Sequence, residues 1–163
     1  MIAALTAAFT VSALSQTVLT ATDGARVDVQ AQKGKVVVLA IGATWLPLSS
    51  TQADIAGSLA KKYQGRDVVV YFVATDSANA KSRNFATPED VKKFVTANKI
   101  GIPVLRDPDG VATLRKFGID QVPSFVILDK NGAKSGETFG GIDPDPKYDL
   151  KAPISKVIDK LLR

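Results

Sequence analysis

The apolar positions along the chain alternate between two periods. Thr17–Thr20 and Arg26–Val29 are β-prone stretches on either side of Asp23-Gly24. That dipeptide between two such stretches predicts a hairpin. Lys33-Gly34-Lys35 leads into Val36-Val37-Val38-Leu39-Ala40-Ile41, an unbroken apolar run. Such a run predicts a strand covered on both faces. Ser49, Ser50 and Thr51 are candidate N-caps for the next segment, where Ile55, Leu59 and Tyr63 recur every four residues and Ala56 and Ala60 fill the same stripe. The pattern predicts an amphipathic helix stopped at Gln64-Gly65. Val68–Thr75 is a second apolar strand. Strand, helix and strand form a βαβ unit, which implies a parallel pair with a right-handed crossover.

The second half adds shorter elements. Asp76–Ala86 reads as a polar loop. Thr87-Pro88-Glu89-Asp90 opens a helix: Thr87 can cap, Pro88 suits the first turn, and Asp90 lies at the capping-box position. Val91, Phe94 and Val95 give its buried face, and Asn98 or Lys99 ends it. Ile102–Leu105 is a short extended piece, Asp107–Gly110 a turn, and Val111–Phe117 a short helix closed by Gly118. Val122–Leu128 is a strand interrupted by Pro123. Asp129-Lys130-Asn131-Gly132 predicts a hairpin turn, with Lys134–Phe139 as the returning strand. Gly140-Gly141 and Asp143–Pro146 form a stiff loop, and Ile154, Val157, Ile158, Leu161 and Leu162 mark a final amphipathic helix. No internal repeat or interdomain linker interrupts the series.

The totals fit this picture. A chain of 163 residues with 45% hydrophobic and 23% charged residues suits one compact domain. At this size roughly two thirds of the unfolded surface can be buried without a disulfide or metal. The net charge is +5, but Lys and Arg occur singly or in pairs such as Lys61-Lys62 and Lys92-Lys93. Without a basic run interleaved with aromatics, nucleic-acid binding is not expected. Met1–Leu14 is apolar but has no basic residue before Arg26. It reads either as the remnant of an export signal or as a strand or short helix packed on the domain. It is too short and too rich in Ser and Thr to span a membrane. The expected organisation is an N-terminal apolar extension over 1–22 and a single domain over 23–163.

Two absences bear on chemistry. The chain has no cysteine and no histidine. Disulfides, thiolate nucleophiles and zinc–thiolate sites are excluded, as are Ser–His pairs and imidazole ligands. No cofactor and no metal site is expected. Cysteine usage also carries no information on compartment.

The order of elements and four local motifs resemble the thioredoxin-like superfamily, in particular its TlpA/ResA-like and AhpC/TSA (redoxin) members. Lys33–Leu39 resembles the strand before that family's active site. Ala43-Thr44-Trp45-Leu46-Pro47-Leu48-Ser49 is similar to its Ala-Thr-Trp-Cys-Pro-Pro-Cys. Ile102–Gly110 and Gly118–Gly132 are similar to its later segments, and Pro123 resembles its cis-proline. The resemblance covers about Asp23 to Arg163. It implies an α/β fold with a central mixed sheet flanked by helices and an N-terminal β-hairpin. It also implies thiol–disulfide chemistry at two positions that here hold Leu46 and Ser49. Mixed Leu and Ser replacement with no other cysteine left reads as natural divergence. Relatives of the TlpA kind imply a place outside the cytoplasm, with a membrane tether beyond the chain left open.

Thiol–disulfide exchange requires a thiolate and a mixed disulfide. Leu46 cannot act as a nucleophile, and a Ser49 hydroxyl forms no disulfide. The expected function is therefore a redox-inactive member of the family that binds a protein or peptide partner. The candidate binding residues are Trp45, Leu46, Pro47, Leu48, Ser49, Val122 and Pro123, and no residue is assigned as catalytic. Pro123 either shapes a groove whose backbone pairs with an extended segment, or merely aims its strand. Trp45 either marks an exposed apolar patch or packs on the first helix. Two alternatives stand beside this reading. One is a glutathione-type or other cysteine-independent enzyme using Ser49 at a helix start. The other is a purely structural domain with Leu46 buried against Trp45 and no open groove. The pairs Asp107/Asp109 and Asp143/Asp145 read as turn residues rather than metal ligands or acid–base groups.

Overall fold

The computed structural model describes residues 16–143, 145 and 147–163. Met1–Leu14, with its alternatives of export remnant or packed element, lies outside them. Strands β1 (Val18–Ala21) and β2 (Arg26–Asp28) form the expected hairpin. They are followed by β3 (Val36–Gly42), helix α1 (Ser49–Lys62), β4 (Val68–Ala74), α2 (Pro88–Ala97) and β5 (Val104–Arg106). A 3-10 turn over Pro108–Gly110, helix α3 (Leu114–Phe117), β6 (Ser124–Leu128) and α4 (Lys151–Leu161) complete the domain.

The sheet has the order β2-β1-β5-β4-β3-β6. Strands β3, β4 and β5 are parallel, while β1 and β6 run antiparallel to their neighbours. It is a mixed sheet of the expected kind. Residues 18–21, read as part of the extension, are integral to it through their pairing with β5.

Every residue of β3 is buried, as its unbroken apolar run requires. Val36, Val38 and Ala40 face a layer built from Ala53, Ala56 and Leu59 of α1, Val91 of α2, and Ile154 and Ile158 of α4. Val37, Leu39 and Ile41 face the opposite layer, with Leu19, Phe117 and Ile119. Each fully buried side chain of this size contributes about 1.5–3 kcal/mol. Tyr63 fixes α4 on α1, its hydroxyl donating to the Asp159 carboxylate at 3.0 Å. Helix α2 begins with the predicted capping box. The Asp90 amide donates to Thr87 Oγ1 at 3.1 Å, and the Thr87 amide donates to Asp90 Oδ2 at 3.0 Å.

Three local expectations are corrected. The N-cap of α1 is Leu48, with no side-chain cap, because the Ser49 hydroxyl turns inward. The helix read over Val111–Phe117 starts only at Leu114. Its first amides are drawn off by Asp107, whose buried carboxylate accepts from the amides of Ala112 and Thr113, both at 2.9 Å. Lys134–Phe139 returns along β6 only as isolated bridges, Leu128 to Lys134 and Phe125 to Phe139. The returning stretch is longer than the strand it faces, and the surplus is taken up around Gly136, at φ 74°.

Candidate functional site

The site forms where β3 and β4 end side by side, since parallel strands bring their C-terminal ends to one edge of the sheet. The chain leaves β3 at Gly42 and reaches α1 through a tight turn. The Leu46 amide donates to the Ala43 carbonyl at 3.1 Å, and the Ser49 amide donates to that of Leu46 at 3.0 Å. The neighbouring β4 end holds this turn. Thr75 donates to the Gly42 carbonyl through its amide at 2.8 Å and its hydroxyl at 2.9 Å. The Asp76 carboxylate, 1% exposed, accepts from the Thr44 amide and, at 2.6 Å, from the Thr44 hydroxyl.

Beneath the turn lies a buried polar layer. Gln52 donates through Nε2 to the carbonyls of Ile41 at 3.1 Å and Ser124 at 2.7 Å, so one side chain of α1 joins the ends of β3 and β6. Ser49 is fully buried, and its Oγ accepts from the Ala43 amide at 3.2 Å. The layer leaves no room at Gly42: a Cβ there would lie 2.4 Å from Gln52 Oε1 and 2.8 Å from Ser49 Oγ. This close approach is why the strand ends in glycine.

The candidate binding residues separate by depth. Trp45 and Pro47 are exposed, Leu46, Leu48, Val122 and Pro123 are half-buried, and Ser49 is interior. Trp45 and Val122 line a groove of about 200 Å³ together with Ala43, Thr75, Asn84, Asp109 and Leu114. Leu48 instead packs against the α1 layer of the core. The Val122–Pro123 peptide bond is cis. Val122 has no backbone hydrogen bond among the described residues.

Nothing in the sequence marks Asn84 or Asp109 as a groove residue, and Asp76 reads there only as the start of a loop. The signal for Asp76 was its place just past a buried parallel strand, where a carboxylate can reach the neighbouring turn. Asp107 and Asp109 do not act as a pair: Asp107 staples its own turn, and Asp109 lines the groove. Among the described residues no group of three or more acidic residues is arranged to hold a metal ion. No helix among them is long and apolar enough to cross a membrane.

The mixed sheet, the helices on both faces and the turn from β3 into α1 define a thioredoxin-like protein. The chain belongs to the AhpC/TSA family, whose model matches residues 9–133. It is 24% identical over 123 residues to the thiol-disulfide oxidoreductase ResA of Bacillus thuringiensis. That match covers 76% of this chain and only 65% of the relative, less than two thirds of its length. Among solved structures, it resembles the exposed lipoprotein thioredoxin Etrx1 of Streptococcus pneumoniae, with a TM-score of 0.70 and 26% identity. The overlap covers 90% of this chain and all of the other. A secreted Mycobacterium tuberculosis disulfide oxidoreductase homologous to DsbE superposes with a TM-score of 0.65 at 20% identity, over 88% of this chain and 95% of that one. The chain itself has no cysteine, at positions 46 and 49 or anywhere else.

Proposed function

We propose that this is a redox-inactive thioredoxin-like domain that binds an extended protein segment in the groove between Trp45 and Val122. The oxidoreductase activity in the name of ResA does not carry over, because exchange needs a thiolate and the chain has none. What survives is a recognition surface. The observation that carries the reading is Trp45, 52% exposed at the mouth of a groove whose other wall is Val122 with an unpaired backbone. Exposing half of an indole costs hydrophobic free energy that a partner would recover. The amide and carbonyl groups of Val122 supply the pairing by which an extended segment adds to a strand. Phe85 and Val111, 41% and 79% exposed, follow closely in sequence on the groove residues Asn84 and Asp109.

The same geometry weighs against the alternatives. A filled-in structural loop would have Leu46 buried against Trp45, whereas Leu46 is half-buried and Trp45 exposed. A Ser49-based enzyme would need its hydroxyl at the surface, and that oxygen is enclosed beneath the turn. The test is amide-shift mapping with an unfolded, cysteine-blocked polypeptide such as alkylated insulin B chain. Saturable shifts at Trp45, Val122 and Asn84 support the reading. Shifts confined to a remote face, or none, would sink it.

A further inference from the structure

Arg106 occupies the last position of β5, opposite Thr20 of β1. Strand alternation places it on the same face as Val104, whose side chain joins the core layer shared with α2. Its Nη2 donates to the Ala86 carbonyl at 2.8 Å. Its Nε is buried and has no hydrogen-bond partner among the described residues. No carboxylate among those residues lies within ion-pair distance of the guanidinium. The acids in the first turn of α2 are engaged elsewhere, Glu89 with Lys92 at 3.6 Å and Asp90 with Lys93 at 3.4 Å.

A half-buried cation with an orphaned donor is costly unless something completes it. Here Arg106 lines a pocket of about 280 Å³, between the β1–β2 hairpin and the start of α2. Thr20, Ala21, Thr22, Gly24, Pro88 and Pro108 form the rest of its wall, and among the described residues Arg106 is its only ionisable group. The hydroxyls of Thr20 and Thr22 have no partner among the described residues. A guanidinium is shaped to hold a carboxylate through two parallel hydrogen bonds. The threonine hydroxyls can donate to the same oxygens, while alanine and two prolines offer apolar walls.

We propose that this pocket binds a small organic carboxylate with a compact apolar body. The pocket is separate from the Trp45 groove, the turn at Pro108–Gly110 lying between them. The test uses the full chain, with benzoate, neutral benzamide and inorganic phosphate as probes followed by NMR. Benzoate should give saturable shifts at Thr20, Thr22, Ala86 and the Arg106 Nε–H. Benzamide should bind at least about tenfold more weakly, the carboxylate's share of the binding free energy being lost. The variant R106Q should lose the benzoate response, and R106K should keep part of it. No saturable response to benzoate, equal binding of benzamide, a response to phosphate alone, or unchanged benzoate binding in folded R106Q would each overturn the proposal. The comparison of benzoate with benzamide is made on the unaltered chain and does not depend on any variant folding.

Discussion

Asp76 holds Thr44 from just past the end of β4: its carboxylate accepts the Thr44 hydroxyl at 2.6 Å and the Thr44 amide at 3.0 and 3.1 Å. The two residues are far apart in sequence, yet this contact orders the turn that presents Trp45. Removing the carboxylate leaves the Thr44 amide without its acceptor in a partly buried place. D76A should therefore lose about 2–4 kcal/mol in urea unfolding. Trp45 is the only tryptophan, so its emission reports the turn directly. A D76A protein with unchanged stability and emission would show that Asp76 does not anchor the loop.

The closeness of Gly42 to Gln52 and Ser49 predicts a second sensitive position. A methyl group at Gly42 would overlap both side-chain oxygens. G42A should destabilise the domain by about 1–3 kcal/mol, the usual cost of overpacking, although alanine is otherwise the mildest substitution. Thermal unfolding of G42A beside G57A gives the comparison, since a Cβ at Gly57 meets nothing within 4 Å. The substitution at Gly57, within α1, should be neutral or stabilising.

The capping box of α2 gives a pH dependence. The hydrogen bonds from Thr87 hold the Asp90 carboxyl below its ordinary 3.8. A carboxyl lowered by folding adds stability that is fully present above its unfolded value. That contribution is lost as the pH falls through the lowered folded value. T87A should remove about 1 kcal/mol at neutral pH and flatten this acid limb. An acid unfolding profile identical to that of the parent would contradict the assignment.

Restoring the chemistry tests how much of the redox scaffold persists. The unaltered chain should show no insulin reduction, and any turnover would overturn the claim that it is redox-inactive. Leu46 and Ser49 sit one turn apart, joined by the hydrogen bond from the Ser49 amide to the Leu46 carbonyl. The double variant L46C/S49C should form an intramolecular disulfide, seen as loss of titratable thiols on oxidation, and should gain insulin reductase activity. Two thiols that stay free under oxidised glutathione would show that the turn no longer supports the exchange geometry.

Much of this was already written in the sequence. The period of the apolar residues placed β3, β4, α1 and α4, because a strand buried on both faces and an amphipathic helix each require one spacing. The absence of cysteine excluded thiol chemistry outright, since it is a statement about atoms rather than arrangement. The depth of the site residues was decided only by the tertiary structure. Ser49 looked like a cap but turns under the loop, where Gly42 leaves space and the Ala43 amide needs an acceptor. Asp76, Asn84 and Val122 meet the Trp45 turn through strand pairing and loop packing across long stretches of chain, contacts that carry no local period. Arg106 reads in sequence as one more scattered charge. Its half-buried place beside a pocket follows from β5 lying between β1 and β4, a neighbour relation that only the folded sheet sets.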